Sequence, residues 1–149
     1  MIARLISAAE TLPLRQALLR PNRSVAESVY PGDNDVSTFH VGVFDVDATL
    51  PAAIATLLLQ DDPRCPAQPT WRLRGMAVDA RRQRTGFGSA ALQFAEKTAR
   101  QREGAAIWCN ARQPAVAFYQ RHGYEPIGEI FTLPNIGPHF FCCKTLRPS

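Results

Sequence analysis

Gly86 and Gly88 stand at the start of the clearest helix pattern in the chain, and this placement constrains the fold more than any other feature. Glycine is about 1 kcal/mol worse than alanine inside a helix, so two of them at a helix start need a structural reason. A helix N-terminus offers unpaired backbone N–H groups and the positive end of a dipole. Glycine lets the oxygens of a charged ligand approach that backbone closely. Arg81, Arg82 and Arg84 sit beside the pair. The run Gln83, Arg84, Thr85, Gly86, Phe87, Gly88 therefore reads as a site for a multiply charged anion between a strand and a helix.

The elements around it follow from periodicity and punctuation. Residues 2–6 read as a strand and 8–20 as a helix, with Leu12, Leu14, Leu18 and Leu19 apolar and Pro13 expected in the first turn. Residues 22–30 read as a second short helix. Residues 38–44 and 52–59 read as a hairpin across the turn at 45–49. Residues 61–70 hold Pro63, Pro66 and Pro69 and read as an exposed loop suited to substrate contacts. Residues 71–78 form the next strand. Residues 87–102 follow as a helix, with Phe87, Ala90, Ala91, Phe94, Ala95 and Thr98 at helical spacing. A strand at 105–109, a helix at 114–121 and strands at 124–132 and 139–145 complete the order. One parallel crossover, over 71–109, is expected in an otherwise largely antiparallel sheet. The fold class is thus α/β in the α+β sense: one domain over 1–149, with a mixed, mostly antiparallel sheet flanked by about four helices.

The totals narrow the function classes. A chain of 149 residues holds one domain with a real core, and 46% hydrophobic with 20% charged residues fits a globular protein. No apolar run approaches the roughly 20 residues of a membrane span. Residues 1–9 are interrupted by Arg4 and make a poor signal peptide, so a cytoplasmic location is expected. Cys65, Cys109, Cys142 and Cys143 have no zinc spacing and read as reduced, buried thiols; no metal is expected. The net charge of +4 is scattered, with no basic run interleaved with aromatics, which argues against nucleic acid. Its one concentration is Arg72, Arg74, Arg81, Arg82 and Arg84 around the glycine loop. A phosphate-rich small ligand accounts for it more economically.

Gly86, Gly88 and Ala91 also fit the dinucleotide fingerprint GxGxxA, which is weak alone. Here seven residues separate Val78 from Gly86, whereas a dinucleotide-binding turn starts at the strand's end. A phosphate loop of the Gly-Lys-Ser/Thr kind is excluded by the sequence that follows. The pattern instead resembles the GNAT superfamily of acetyl-CoA-dependent N-acetyltransferases. Gln83, Gly86 and Gly88 match its loop of Gln or Arg, two residues, Gly, one residue, then Gly or Ala. Met76, Ala77 and Val78 look like the end of its central strand. Ala115, Val116, Ala117, Phe118 and Tyr119, followed by His122, Gly123 and Tyr124, are similar to its late helix. The resemblance is specific from about Trp71 to Tyr124.

The resemblance implies that backbone N–H groups from Arg84 through Thr85, Gly86, Phe87 and Gly88 to Ser89 cradle the pyrophosphate of coenzyme A. It implies that Arg82 and Arg84 add charge, and that Met76 to Val78 pairs with the pantetheine arm. A backbone N–H of Met76 or Val78 would polarise the thioester, and Asn110 would face the same ligand. The implied activity is transfer of an acetyl group from acetyl-CoA to a primary amine of a small molecule or peptide by direct attack. The alternatives are a non-catalytic acyl-CoA-binding module and, more remotely, a basic nucleic-acid-binding domain.

Tyr119 is the candidate acid for the leaving thiolate. A packed tyrosine is the plain alternative. The general base is open. Arg74 stands near the place where many relatives carry a carboxylate, and an arginine is no ordinary base at neutral pH. Arg74 is therefore assigned to an acidic group on the acceptor or to a nearby carboxylate. His40 is an alternative base, as is His139, and a water relay needs no side chain. An exposed late strand can pair across a homodimer.

Overall fold

The computed structural model describes residues 1–147. Their strands form one eight-stranded sheet in the order β1-β2-β3-β4-β5-β8-β6, with β7 on β8. The strands are β1 (Ile2–Ile6), β2 (Phe39–Phe44), β3 (Ala53–Leu59), β4 (Thr70–Val78), β5 (Ala106–Arg112), β6 (Glu125–Pro126), β7 (Phe131–Leu133) and β8 (Gly137–Thr145). The α-helices are α1 (Ala8–Leu19), α2 (Phe87–Gln101) and α3 (Val116–Arg121). The pairings β1–β2, β2–β3, β5–β8, β6–β8 and β7–β8 are antiparallel, and β4–β5 is parallel. Among the described residues no helix is long and apolar enough to cross a membrane.

The backbone separates into two compact units. The first comprises Met1–Leu58 and Leu73–Thr98; the second comprises Leu59–Arg72 and residues 99–147. In the first unit β2 is buried along its whole length, between β1 and β3. Val41, Val43, Ile54 and Leu57 are completely enclosed. Each contributes about 1.5–3 kcal/mol by leaving water. Helix α2 adds Phe87, Ala91, Leu92 and Ala95 to the buried set. Leu92 lies outside the expected stripe, and Phe94 is only half-buried.

Helix α1 differs more from expectation. Ser7 and Glu10 close a capping box at its start, so Pro13 falls inside the helix rather than in its first turn. Its enclosed residues are Thr11 and Arg15, four apart on one face, while the leucines are half-buried. The expected helix at 22–30 is a single 3-10 turn, Val25–Ser28, capped by Ser24 and Glu27. Val29 is extended, and Pro31 biases Tyr30 away from helix. That turn accounts for three α-helices instead of about four.

In the second unit β5 pairs with β8 from Ala106↔Thr145 to Arg112↔His139. Strand β5 thus runs three residues beyond the expected end. Trp108 stacks on Phe141 with ring centres 5.4 Å apart, in a cluster with Cys65, Ala106 and Cys143. All four cysteines are free and buried. The expected strand at 124–132 is divided into β6 and β7, because Gly128 takes a φ of +79° and leaves the extended region. The expected helix at 114–121 begins as a 3-10 turn, Gln113–Ala115, before α3.

Candidate functional site

Strand β4 ends at Val78, and the chain then turns through the glycine loop into α2. Asp79 anchors the turn: its N–H donates to the Ala52 carbonyl at 2.7 Å, and its carboxylate accepts from the Arg81 N–H at 2.9 Å. The Gln83 side-chain amide donates back to the Val78 carbonyl at 3.4 Å. Arg84 has a φ of +63° and Gly86 a φ of +91°. Two left-handed residues around Thr85 curl the backbone, the arrangement that gathers successive N–H groups into an anion-binding concavity. The first rung of α2 runs from the Ala90 N–H to the Gly86 carbonyl at 2.9 Å. The amides of Phe87 and Gly88 precede that rung. The Phe87 ring is buried and pins the helix start, while residues 83–86 are exposed.

The arginines of the loop are not equivalent. Arg81 pairs with Asp79 at 3.2 Å. Arg82 donates from Nε to Asp45 at 2.6 Å and pairs with it through a second nitrogen. Among the described residues Arg84 makes no ion pair. Arg82 is thus engaged by Asp45, whereas Arg84 has no such partner. Asp45, Asp47, Asp79 and Arg81 also line a cavity of about 590 Å³ beside the loop.

Arg74 lies upstream on β4, before Gly75, whose φ of +64° interrupts the strand geometry. A Cβ at residue 75 would stand 3.0 Å from Tyr30 and 3.2 Å from Arg15 Nε, so the positive φ favours glycine there and any side chain would crowd both neighbours. Met76, Ala77 and Val78 follow to the end of the strand. The half-buried Arg74 guanidinium stacks 4.3 Å from the centre of the Tyr30 ring. Burial lowers its pKa; the nearby Tyr30 opposes this, and Arg20 and Arg15 add to it.

His40 is enclosed on β2. One ring nitrogen, Nε2, lies 3.0 Å from the Asp33 carbonyl, and Nδ1 lies 2.8 Å from Thr56 Oγ1. A carbonyl only accepts, so Nε2 carries the hydrogen and the Thr56 hydroxyl donates to Nδ1 in the neutral ring. Thr56 in turn accepts from Arg15 Nη2 at 2.7 Å. Burial depresses the His40 pKa, overcoming the opposing pull of Asp33, and the Arg15 charge depresses it further. The sequence signal for this network was slight: Thr11 and Arg15 fall at i and i+4 in α1, but polar residues at that spacing ordinarily face water.

Three candidates lie in the second unit. Asn110 sits inside β5 rather than at its end, and its Oδ1 is buried with no hydrogen-bond partner among the described residues. Tyr119 is buried on α3, against Phe118 at 5.3 Å and Tyr124 at 5.6 Å between ring centres. Burial raises its pKa well above the ordinary value, with the neighbouring Cys109 and Cys142 adding to the effect. His139 is buried, donating from Nδ1 to the Gly137 carbonyl at 2.8 Å and stacking on Phe131. Among the described residues no cluster of three His, Cys, Asp or Glu side chains could hold a metal.

The model of the acetyltransferase (GNAT) family matches residues 13–124, a span that includes β4, the glycine loop, α2 and α3. The chain belongs to the GNAT acetyltransferase family. It is thereby an acyltransferase. It is 36% identical over 144 residues to the uncharacterized N-acetyltransferase YitI of Bacillus subtilis (strain 168), covering 97% of this chain and 95% of that one. Solved structures share its fold. An aminoglycoside 6'-N-acetyltransferase complexed with coenzyme A matches with a TM-score of 0.78 at 17% identity, over 100% of this chain and 99% of that chain. The aminoglycoside 6'-N-acetyltransferase of Enterococcus faecium matches at 0.74 and 18%, over 100% and 99%. A chain of the NatC complex bound to Gag peptide and CoA matches at 0.76 and 15%, over 98% of each chain.

Proposed function

We propose that this GNAT chain moves an acetyl group from acetyl-CoA to a primary amine by direct attack. The observation that carries the reading is the backbone from Arg84 to Ser89, with left-handed residues at 84 and 86 and the Phe87 and Gly88 amides ahead of the first helical rung. Such a cradle suits a pyrophosphate. Arg84 adds the charge that Arg82 has given to Asp45.

In this reading Met76 to Val78 binds the pantetheine arm as an added strand. A backbone N–H of Met76 or Val78 polarises the thioester carbonyl. The orphaned Asn110 Oδ1 accepts from an amide of the same arm, which relieves a buried unsatisfied acceptor. The amine nitrogen bonds to the carbonyl carbon and the carbon–sulfur bond breaks. Tyr119 gives its proton to the departing sulfur. A phenol is protonated at neutral pH, which is the state an acid requires.

An alkyl amine of pKa ~10.4 is only about 0.04% neutral at pH 7, so proton removal matters. We place His40 in the polar interior rather than at this step, because both its nitrogens are already engaged. Solvent water takes the proton instead. A coenzyme-binding module without turnover is the second reading, favoured by the absence of a strand carboxylate at Arg74. Release of free thiol from acetyl-CoA with a panel of amines separates the two. The proposal fails if no amine releases thiol although acetyl-CoA raises the melting temperature.

A further inference from the structure

Three guanidiniums converge on the ring of Tyr30. Arg15 lies 3.9 Å from its centre, Arg74 4.3 Å and Arg20 5.7 Å. One carboxylate serves this group. Asp33 gives both oxygens to Arg15, at 2.7 and 2.9 Å, and the Tyr30 N–H donates to one of them at 2.8 Å. The Ser28 carbonyl and the Thr56 hydroxyl also accept from Arg15, whose buried Nε has no hydrogen-bond partner among the described residues. Arg74 and Arg20 are left without an ion pair among the described residues. Both are half-buried, so water screens their charges only in part.

Two half-buried cations on one ring, with the local carboxylate already taken by Arg15, leave a positive potential that an anion would offset. Gly75 makes the arrangement possible. Any side chain there would press on Tyr30 and on Arg15. Arg74 also stands only two residues before Met76 on the same strand.

We propose that Arg74 and Arg20, on the face of Tyr30, bind the carboxylate of an acceptor that carries both an amine and an acid. This rests on the acetyl-transfer reading, which puts the thioester at Met76 to Val78. A guanidinium offers two parallel N–H donors that match a carboxylate edge, and the Tyr30 ring fixes its plane. The acceptor class is thus amino acids, or amines bearing an acid group, rather than polyamines or neutral amines.

The test uses ω-amino acids of increasing length, each against its own carboxamide, with phosphoethanolamine as a separate arm. Binding is measured by calorimetry with coenzyme A present, and turnover by thiol release. The wild-type protein binds at least one acid about tenfold or more tighter than its amide, as a charge-assisted pair should. Arg74→Gln removes that preference, Arg74→Lys restores part of it, and Arg20→Gln reduces it, with the circular dichroism spectrum unchanged. Equal affinity for acid and amide in the wild type overturns the proposal, as does a preference that survives Arg74→Gln. A rise in the KM for acetyl-CoA as the sole effect of Arg74→Gln also overturns it and assigns the pair to a coenzyme phosphate. Preference for phosphoethanolamine over every carboxylate overturns the carboxylate assignment. Transfer to neutral amines as fast as to acids sinks the acid site and leaves acetyl transfer standing. An acid preference in binding with no transfer to any amine does the reverse.

Discussion

Arg15 and Asp33 form a two-pronged ion pair in the interior, with N–O distances of 2.7 and 2.9 Å and side-chain exposures of 0% and 1%. They join α1 to the turn before β2, and through Thr56 they reach β3 and His40. Removing one partner leaves a buried charge unanswered. Asp33→Ala should therefore cost about 3–5 kcal/mol of stability by urea unfolding. A loss under about 1 kcal/mol would show that the pair is not enclosed in solution.

The same network sets a response to acid. His40, facing Thr56, Asp33 and Arg15, has a folded pKa below its ordinary 6.5. The unfolded chain then binds a proton at a pH where the folded one does not, so stability is full above pH 6.5 and declines as pH falls from there toward the folded value. Asp33 acts lower down. Burial alone would raise its pKa, but hydrogen bonds from Arg15 and Tyr30 and the Arg15 charge hold it below 3.8. Its contribution is present above 3.8 and is lost as pH falls through the folded value. His40→Asn should flatten the melting-temperature curve just below pH 6.5 while keeping the decline below 3.8. An unaltered curve would remove His40 from the account.

Gly86→Ala probes the cradle. Its φ of +91° is costly for any other residue, while the nearest atom to an added Cβ is Met1 Cε at 3.8 Å. Strain rather than crowding sets the effect, so a stability loss of about 1–2 kcal/mol is expected. The KM for acetyl-CoA should rise several-fold at an unchanged KM for the amine, roughly as one lost charge-assisted hydrogen bond would give. Unchanged coenzyme kinetics would move the pyrophosphate elsewhere.

Tyr119→Phe removes one hydroxyl from a packed aromatic group. We expect kcat to fall by about 10²-fold with little change in the KM for acetyl-CoA. Because the ring contacts with Phe118 and Tyr124 survive, stability should change by no more than about 1 kcal/mol. Full activity in the variant would assign Tyr119 to packing.

Asn110 offers the opposite sign on stability. Its Oδ1 is buried without a partner, so the coenzyme-free protein gains nothing from it. Asn110→Leu should leave the free protein equally or more stable, by up to about 1 kcal/mol, and should weaken coenzyme A binding about tenfold. Calorimetry with coenzyme A, beside a melting curve, reads both effects. Destabilisation of the free protein with unchanged binding would show Asn110 to be structural.

The chain's own residues determined the parts governed by local backbone chemistry. Two glycines before a helical apolar period fixed the loop and α2, because conformational freedom and helix dipoles act over a few residues. Alternating and buried apolar runs likewise placed β2, β3 and β4. The divided strand at Gly128 and the single turn at Val25–Ser28 were harder to read, since each depends on a backbone choice at one or two positions. Only the tertiary structure decided which charges are answered. Arg15 meets Asp33 18 residues away and Thr56 41 residues away. Asp45 takes Arg82 across 37 residues. The same interior engages both ring nitrogens of His40, and among the described residues Arg84 and Arg74 are left without an ion pair. Pairing of charges depends on distance in space and on exclusion of water, and neither is written in the spacing along the chain.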